Sequence, residues 1–226
     1  MPDLVHHERI YRGADVLARL EATSVTLCGA GSIGSHLADN LARLGIRRWK
    51  VIDRDRVEEH NAGTQLYGQS EVGAWKVEAL RNRLFRAVGV EIEAISKELT
   101  SRNARSLLKG PGILLDTFDN ATARRLVQDY CRAEVLPCLH VGLNADYAEA
   151  IWDENYRVPR DVAGDLCDYP MARNLVLLAV AVASESLVRY ILDGSKTAWS
   201  VTLGDFAIRP LETGTLPSDR DEHRLT

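Results

Sequence analysis

A chain of 226 residues that is 46% apolar and 27% charged has ordinary globular composition and the length to bury a full core, which excludes a fibrous or wholly disordered protein. Its net charge of -4 comes with Lys and Arg spread along the chain, so no basic patch for nucleic acid is expected. Residues 1–17 carry His6, His7, Glu8, Arg9 and Arg12 in place of the apolar core of a secretory signal, and the longest apolar run, 175–183, falls short of the ~20 residues of a membrane span, so a cytoplasmic protein without a membrane partner is expected.

In chain order, residues 24–28 form a short apolar run ending in glycines, and Ile33, Leu37, Leu41 and Leu44 then share one helical face. That predicts a strand, a tight turn and a helix over 33–44. A second strand follows at 49–53, then a polar loop over 54–72 and a helix over 73–87. Alternation of Val90, Ile92 and Ala94 predicts a third strand. Residues 102–108 read as helix, 112–118 as a buried strand, 120–132 as helix and 135–141 as the next strand. Strands separated by such helices imply an α/β fold with a doubly wound, mostly parallel sheet. After Asn144 the pattern changes: 146–152 and 198–209 read as strands of an antiparallel C-terminal extension, split by a long helix over 171–192. One continuous domain over 1–212 is expected, and 213–226, poor in apolar residues, reads as a flexible tail.

Gly29-Ala30-Gly31-Ser32-Ile33-Gly34 matches G-x-G-x-x-G directly after a strand and at the opening of a helix. Such glycines let the backbone turn sharply and approach a phosphate, which exposed amides and the helix dipole then hold. Asp53, at the end of the second strand, is placed to accept hydrogen bonds from ribose hydroxyls. Nucleotide binding follows, but these residues do not separate a dinucleotide from ATP.

The downstream loops do. Asp53-Arg54-Asp55-Arg56-Val57-Glu58-Glu59-His60-Asn61, then Thr64-Gln65, then Val72-Gly73-Ala74-Trp75-Lys76, resembles the ThiF/MoeB family, related to ubiquitin-activating enzymes, as does Asp119-Asn120 followed by Arg124. The resemblance runs from about Glu8 to about Arg209. It implies a Rossmann-like enzyme that uses ATP and Mg²⁺ to adenylylate the C-terminal carboxylate of a small ubiquitin-like or sulfur-carrier protein. By that resemblance Gly29, Gly31, Gly34, Asp53, Asp55, Asn61, Gln65 and Asn120 line the nucleotide, Lys76 contacts phosphates, and Asp119 holds Mg²⁺. Adenylyl transfer needs cations and a metal around developing phosphate charge, and Lys76 and Asp119 supply that chemistry.

Four features qualify the resemblance. Thr64 stands where the family has an arginine, with Arg12, Arg54 or Arg56 as candidate replacements. His6-His7-Glu8-Arg9 matches in part an N-terminal family element, making Arg9 the candidate cation donated to a neighbouring subunit and implying a homodimer. Cys167, in the loop before the long helix, is read either as a catalytic thiol or as an incidental cysteine, whereas Cys28 and Cys138 read as core. No C-x-x-C pair exists, so no zinc site is expected, and Arg173 and Arg189 read as solvated. Two other readings remain: a catalytically silent scaffold that binds nucleotide or a ubiquitin-like partner, and an NAD-dependent oxidoreductase.

Overall fold

The computed structural model describes residues 4–159 and 171–211, so Cys167 and the 213–226 tail lie outside the described residues. Helices α1 (His6–Arg12) and α2 (Ala14–Ala22) open the chain, followed by β1 (Ser24–Cys28), α3 (Ser32–Leu44) and β2 (Arg48–Ile52). The polar loop contains two 3-10 turns, Glu59–Gly63 and Gln69–Glu71, before α4 (Lys76–Val88) and β3 (Ile92–Ile95). Then come α5 (Ala104–Leu108), β4 (Ile113–Asp116), α6 (Ala121–Glu134), β5 (Cys138–Asn144), β6 (Tyr147–Trp152), α7 (Arg173–Asp193), β7 (Ala198–Thr202) and β8 (Ala207–Leu211).

All eight strands join one sheet in the order β3-β2-β1-β4-β5-β6-β7-β8. The first five run parallel, and β6, β7 and β8 are antiparallel. Alternating residues of the parallel strands serve two cores, as the period of two in a strand requires. Val25, Leu27, Val51, Leu115 and Val141 meet Leu37 and Leu41 of α3, Leu80 and Leu84 of α4, and Val180 and Leu187 of α7. Cys28, Ile52, Leu114 and Cys138 turn the other way, toward Leu108 of α5 and Val127 and Cys131 of α6. Helix α7 has the length and apolar composition to cross a membrane. In this fold it packs on α3 and on β5, β6 and β7, with Leu175, Val176, Ala179, Val180, Ala183, Leu187 and Val188 buried.

The expected alternation stands, with four local corrections. Two helices precede β1; α1 buries no residue and α2 only Leu17 and Leu20, too little to show a period. The span 198–209 is a hairpin rather than one strand, because the chain reverses through a turn in which Phe206 adopts φ 54°. Val135 does not begin β5: it takes the left-handed conformation that caps α6, and β5 starts at Cys138. Helix α4 starts at Lys76 rather than residue 73, since Gly73 has φ 87° and belongs to the turn before it.

Candidate functional site

Strand β1 is flanked by β2 and β4, so three parallel strands end side by side where the strand order reverses, the place at which doubly wound sheets open a crevice. The glycine turn leaves β1 here. Gly29 has φ +97°, and a Cβ on it would meet Thr117 atoms at 3.0 Å. On Gly34 a Cβ would lie 2.1 Å from the Gly29 carbonyl oxygen, so only glycine lets α3 start this close to β1. Around Gly31 a Cβ would meet nothing within 4 Å. Gly31 is also the N-cap of α3 and no side chain caps the helix, so its first amides and the positive end of its dipole suit a bound anion.

Asp53 follows β2 and is 6% exposed. The Ala30 amide donates to its Oδ2 (2.6 Å) and the Asp55 amide to its Oδ1 (2.7 Å), so this carboxylate fixes the turn as well as facing the crevice. Burial pushes its pKa up, and Lys76 works against that rise. Lys76 is itself buried, with Nζ 3.1 Å from Asp55 Oδ2, and its amide donates to the Asp55 carbonyl at 2.9 Å. It is therefore a cation of the crevice wall, not a solvated helix residue.

The loop between β2 and α4 folds over the start of α3. The Leu66 amide donates to Ser35 Oγ (3.1 Å), and the Tyr67 hydroxyl donates to the Ala30 carbonyl (2.8 Å). Asn61 is buried and its Oδ1 accepts from the Glu58 amide at 2.9 Å, which leaves its amide nitrogen as the end able to serve a ligand. Gln65 Oε1 is buried without a hydrogen-bond partner. A buried acceptor left unsatisfied costs free energy unless a ligand or water donates to it, so Gln65 fits a pocket wall.

On the other side of the turn, Thr117 links β4 to the glycines: its amide donates to the Cys28 carbonyl (2.9 Å) and its hydroxyl lies 3.0 Å from the Gly29 carbonyl. Asp119 is exposed, while Asn120 caps α6 by accepting from the Ala123 amide at 2.8 Å and donates to Asp119 Oδ1 at 3.3 Å. The helix-capping role thus falls to Asn120, and Asp119 keeps its carboxylate toward solvent.

Beneath this loop lies a buried polar chain with no sequence signal beyond a lone histidine in an apolar strand. His140 Nδ1 is 2.7 Å from Asp116 Oδ2 and Nε2 is 3.2 Å from Asp153 Oδ1. The imidazole stacks on Tyr156 with ring centroids 3.8 Å apart. Arg124 donates to the Tyr156 hydroxyl (2.9 Å) and the Val141 carbonyl (3.0 Å) and approaches Asp116 at 3.6 Å. Burial alone would lower the His140 pKa, but the hydrogen bonds to Asp116 and Asp153 outweigh it and the net shift is upward. Asp116 also accepts from the Phe118 amide at 3.2 Å, so the chain braces the β4 loop from below.

The arginines expected to replace the one missing at Thr64 are engaged elsewhere. Arg12 pairs with Glu8 and Glu185, Arg54 with Glu98, and Arg56 stacks on Trp75 and donates to the Gly73 carbonyl. Arg173, expected to be merely solvated, reaches the Gly63 carbonyl at 3.3 Å. Arg9 is exposed on α1. Cys28 and Cys138 are fully buried as expected, and burial pushes both thiols well up, so neither is a nucleophile.

A glycine turn at a switch point, flanked by a buried lysine and an exposed aspartate, is the arrangement of a doubly wound α/β protein of the kind that takes a nucleotide at that place. The sequence profile of the ThiF family matches residues 7–151, and the chain belongs to that family. It is 37% identical over 115 residues to the adenylyltransferase and sulfurtransferase MOCS3 of Anopheles gambiae, covering 50% of this chain and 26% of that protein. Against the sulfur carrier protein adenylyltransferase of Thermus thermophilus it is 36% identical over 120 residues, covering 52% and 44%. The chain therefore matches less than half the length of these relatives. Among solved structures, E. coli MccB with ATP superposes with a TM-score of 0.76 at 20% identity, covering 93% of this chain and 70% of that one. That likeness establishes the shared fold.

Proposed function

We propose that this protein adenylylates the C-terminal carboxylate of a small ubiquitin-like or sulfur-carrier protein at the expense of ATP. In that reaction a carboxylate oxygen bonds to the α-phosphorus, the bond from that phosphorus to the bridging oxygen breaks, and pyrophosphate leaves with the electron pair. The observation that carries the reading is the arrangement at the switch point: open helix amides at Gly31, with Lys76 on one side and Asp119 on the other. These groups bind phosphate and metal and include no acid-base pair for hydride chemistry, so an NAD-dependent oxidoreductase would leave Lys76 and Asp119 without roles. The relatives named adenylyltransferases support the same reading.

Within it, Gly29, Gly31, Gly34, Asp53, Asp55, Asn61, Gln65 and Asn120 line the nucleotide, and Lys76 neutralises phosphate charge as a compact cation. Among the described residues no three His, Cys, Asp or Glu side chains form a metal cluster, so Mg²⁺ would rest on Asp119 with phosphate oxygens and waters, a donor set that suits it. Arg9 acts across a homodimer, and Cys167 serves as a thiol acceptor after adenylate formation. The protein works in the cytoplasm, without zinc, nucleic acid or a membrane.

ATP–pyrophosphate exchange dependent on a carrier protein ending in Gly-Gly tests the proposal. Carrier-dependent exchange is the expected result. ATP binding without exchange would instead favour the second reading, a silent scaffold, whose supporting observation is Thr64 at the position of the family arginine.

A further inference from the structure

Helix α7 begins on the same edge of the sheet as the nucleotide crevice. Met171, two residues before its start, bridges Ala145 just past the carboxyl end of β5, and β5 runs parallel to β1 through β4. Arg173 is therefore delivered to that edge by a part of the chain far from the crevice in sequence. Its Nη1 lies 3.3 Å from the Gly63 carbonyl and 3.5 Å from His36 Nε2. His36 Nε2 is 3.2 Å from the Thr64 carbonyl, so the guanidinium sits beside the backbone of Thr64. Thr64 leads directly into Gln65, Leu66 and Tyr67, the segment bonded to Ser35 and Ala30 of the phosphate turn.

Most other cations near this edge are paired with carboxylates, and Arg56 is held against the Trp75 ring and the Gly73 carbonyl. Lys76 pairs with Asp55, Arg54 with Glu98, Arg12 with Glu8 and Glu185, and Arg83 with Glu71. Arg173 is exposed and, among the described residues, touches only a carbonyl and a histidine. Burial and the neighbouring Arg173 both lower the His36 pKa, so the imidazole stays neutral and leaves the arginine as the positive charge of this pair.

We infer that Arg173 supplies, from α7, the phosphate-binding cation that Thr64 lacks, contacting the outer phosphates of a triphosphate held at the glycine turn. The inference rests on the nucleotide reading above and deepens it. An arginine at the start of α7 can turn its fork onto phosphate oxygens, and a contact confined to the outer phosphates is open to ATP and closed to AMP, which lacks them.

Calorimetric titration of the full chain with ATP and with AMP, both with magnesium chloride, tests it on wild type, Arg173→Ala, and the double variant Arg173→Ala with Thr64→Arg. Arg173→Ala should weaken ATP binding about tenfold to a hundredfold and leave AMP binding unchanged. Thr64→Arg in that background should restore most of the loss, which a merely structural role for Arg173 would not allow. Equal losses for ATP and AMP, or unchanged ATP affinity in Arg173→Ala, would overturn the inference and leave the adenylylation proposal standing. Wild type that binds no ATP would overturn both.

Discussion

The two halves of the sheet use the same strand chemistry to different ends. In the parallel half, β1, β2 and β4 end together, and each releases a loop that contributes one part of the crevice: the glycine turn, Asp53 and Asp55, and Thr117 through Asn120. Strands buried on both faces carry few polar groups along their length, and a buried one such as His140 against Asp116 needs a full set of partners. The antiparallel half has α7 on one face through Ala148, Leu175 and Val201, while Tyr147, Glu149 and Ser200 point to the other. Its two hairpin turns, after β5 and after β7, bond each other, the Leu203 amide donating to the Asp146 carbonyl at 2.8 Å, and carry none of the motif residues. Chemistry therefore concentrates where parallel strands stop, and the extension contributes by fixing where α7 begins.

That contrast can be tested by substitutions graded by their distance from the parallel strand ends. The largest effect is expected for Asp119→Ala, which should cut ATP–pyrophosphate exchange by at least about a hundredfold to a thousandfold while circular dichroism stays native, because the carboxylate is exposed and caps nothing. Retained exchange would remove Asp119 from the metal role.

Next comes His140→Asn, which leaves two buried carboxylates short of a partner and should destabilise the fold by about 3–5 kcal/mol in urea. The pH dependence has a definite sign. The folded pKa of His140 is raised, so its contribution is complete below the unfolded value of about 6.5 and is lost as pH rises through the folded value. Wild-type stability should fall over that window, and the variant should lack that component; parallel stability curves for the two proteins would contradict the assignment.

Gly34→Ala is expected to cost roughly 1–3 kcal/mol, because the added carbon collides with the Gly29 carbonyl. Gly31→Ala should change stability by no more than about 0.5 kcal/mol and still weaken ATP binding, since the added methyl points into open space at the anion site. Equal stability losses at both glycines would erase the distinction drawn between them. The smallest effect belongs to the extension: Arg209→Ala removes an exposed pair with Asp205, and neither the melting temperature nor ATP affinity should move measurably.

The parallel half was legible from residues alone because its signals are local. Apolar runs ending in glycine, helices with a clear face, and the spacing from Gly29 to Asp53 all lie within a few dozen residues. The hairpin at Leu203 to Phe206 was missed although Gly204-Asp205 is a local turn signal, because the apolar residues on both sides read as one strand. Val135 misled differently: a β-branched residue reads as strand, yet it ends 88% exposed as a helix cap. At the site, the glycine turn, Asp53 and Asp119 follow β1, β2 and β4 in the chain, as their local motifs place them. Arg173 has no such motif, since it meets Gly63 across 110 positions, and no local pattern encodes that approach. The Asp116, His140 and Asp153 chain escaped for the same reason.

Thr117 carries one further consequence. By bonding Cys28 and Gly29 through both its amide and its hydroxyl, it welds the jaw carrying Asp119 to the jaw carrying the glycines. The gap between them is set when the sheet forms, so the entropy of ordering it falls on folding and not on nucleotide capture. On the proposed function, such a vise would select a phosphate chain by its span.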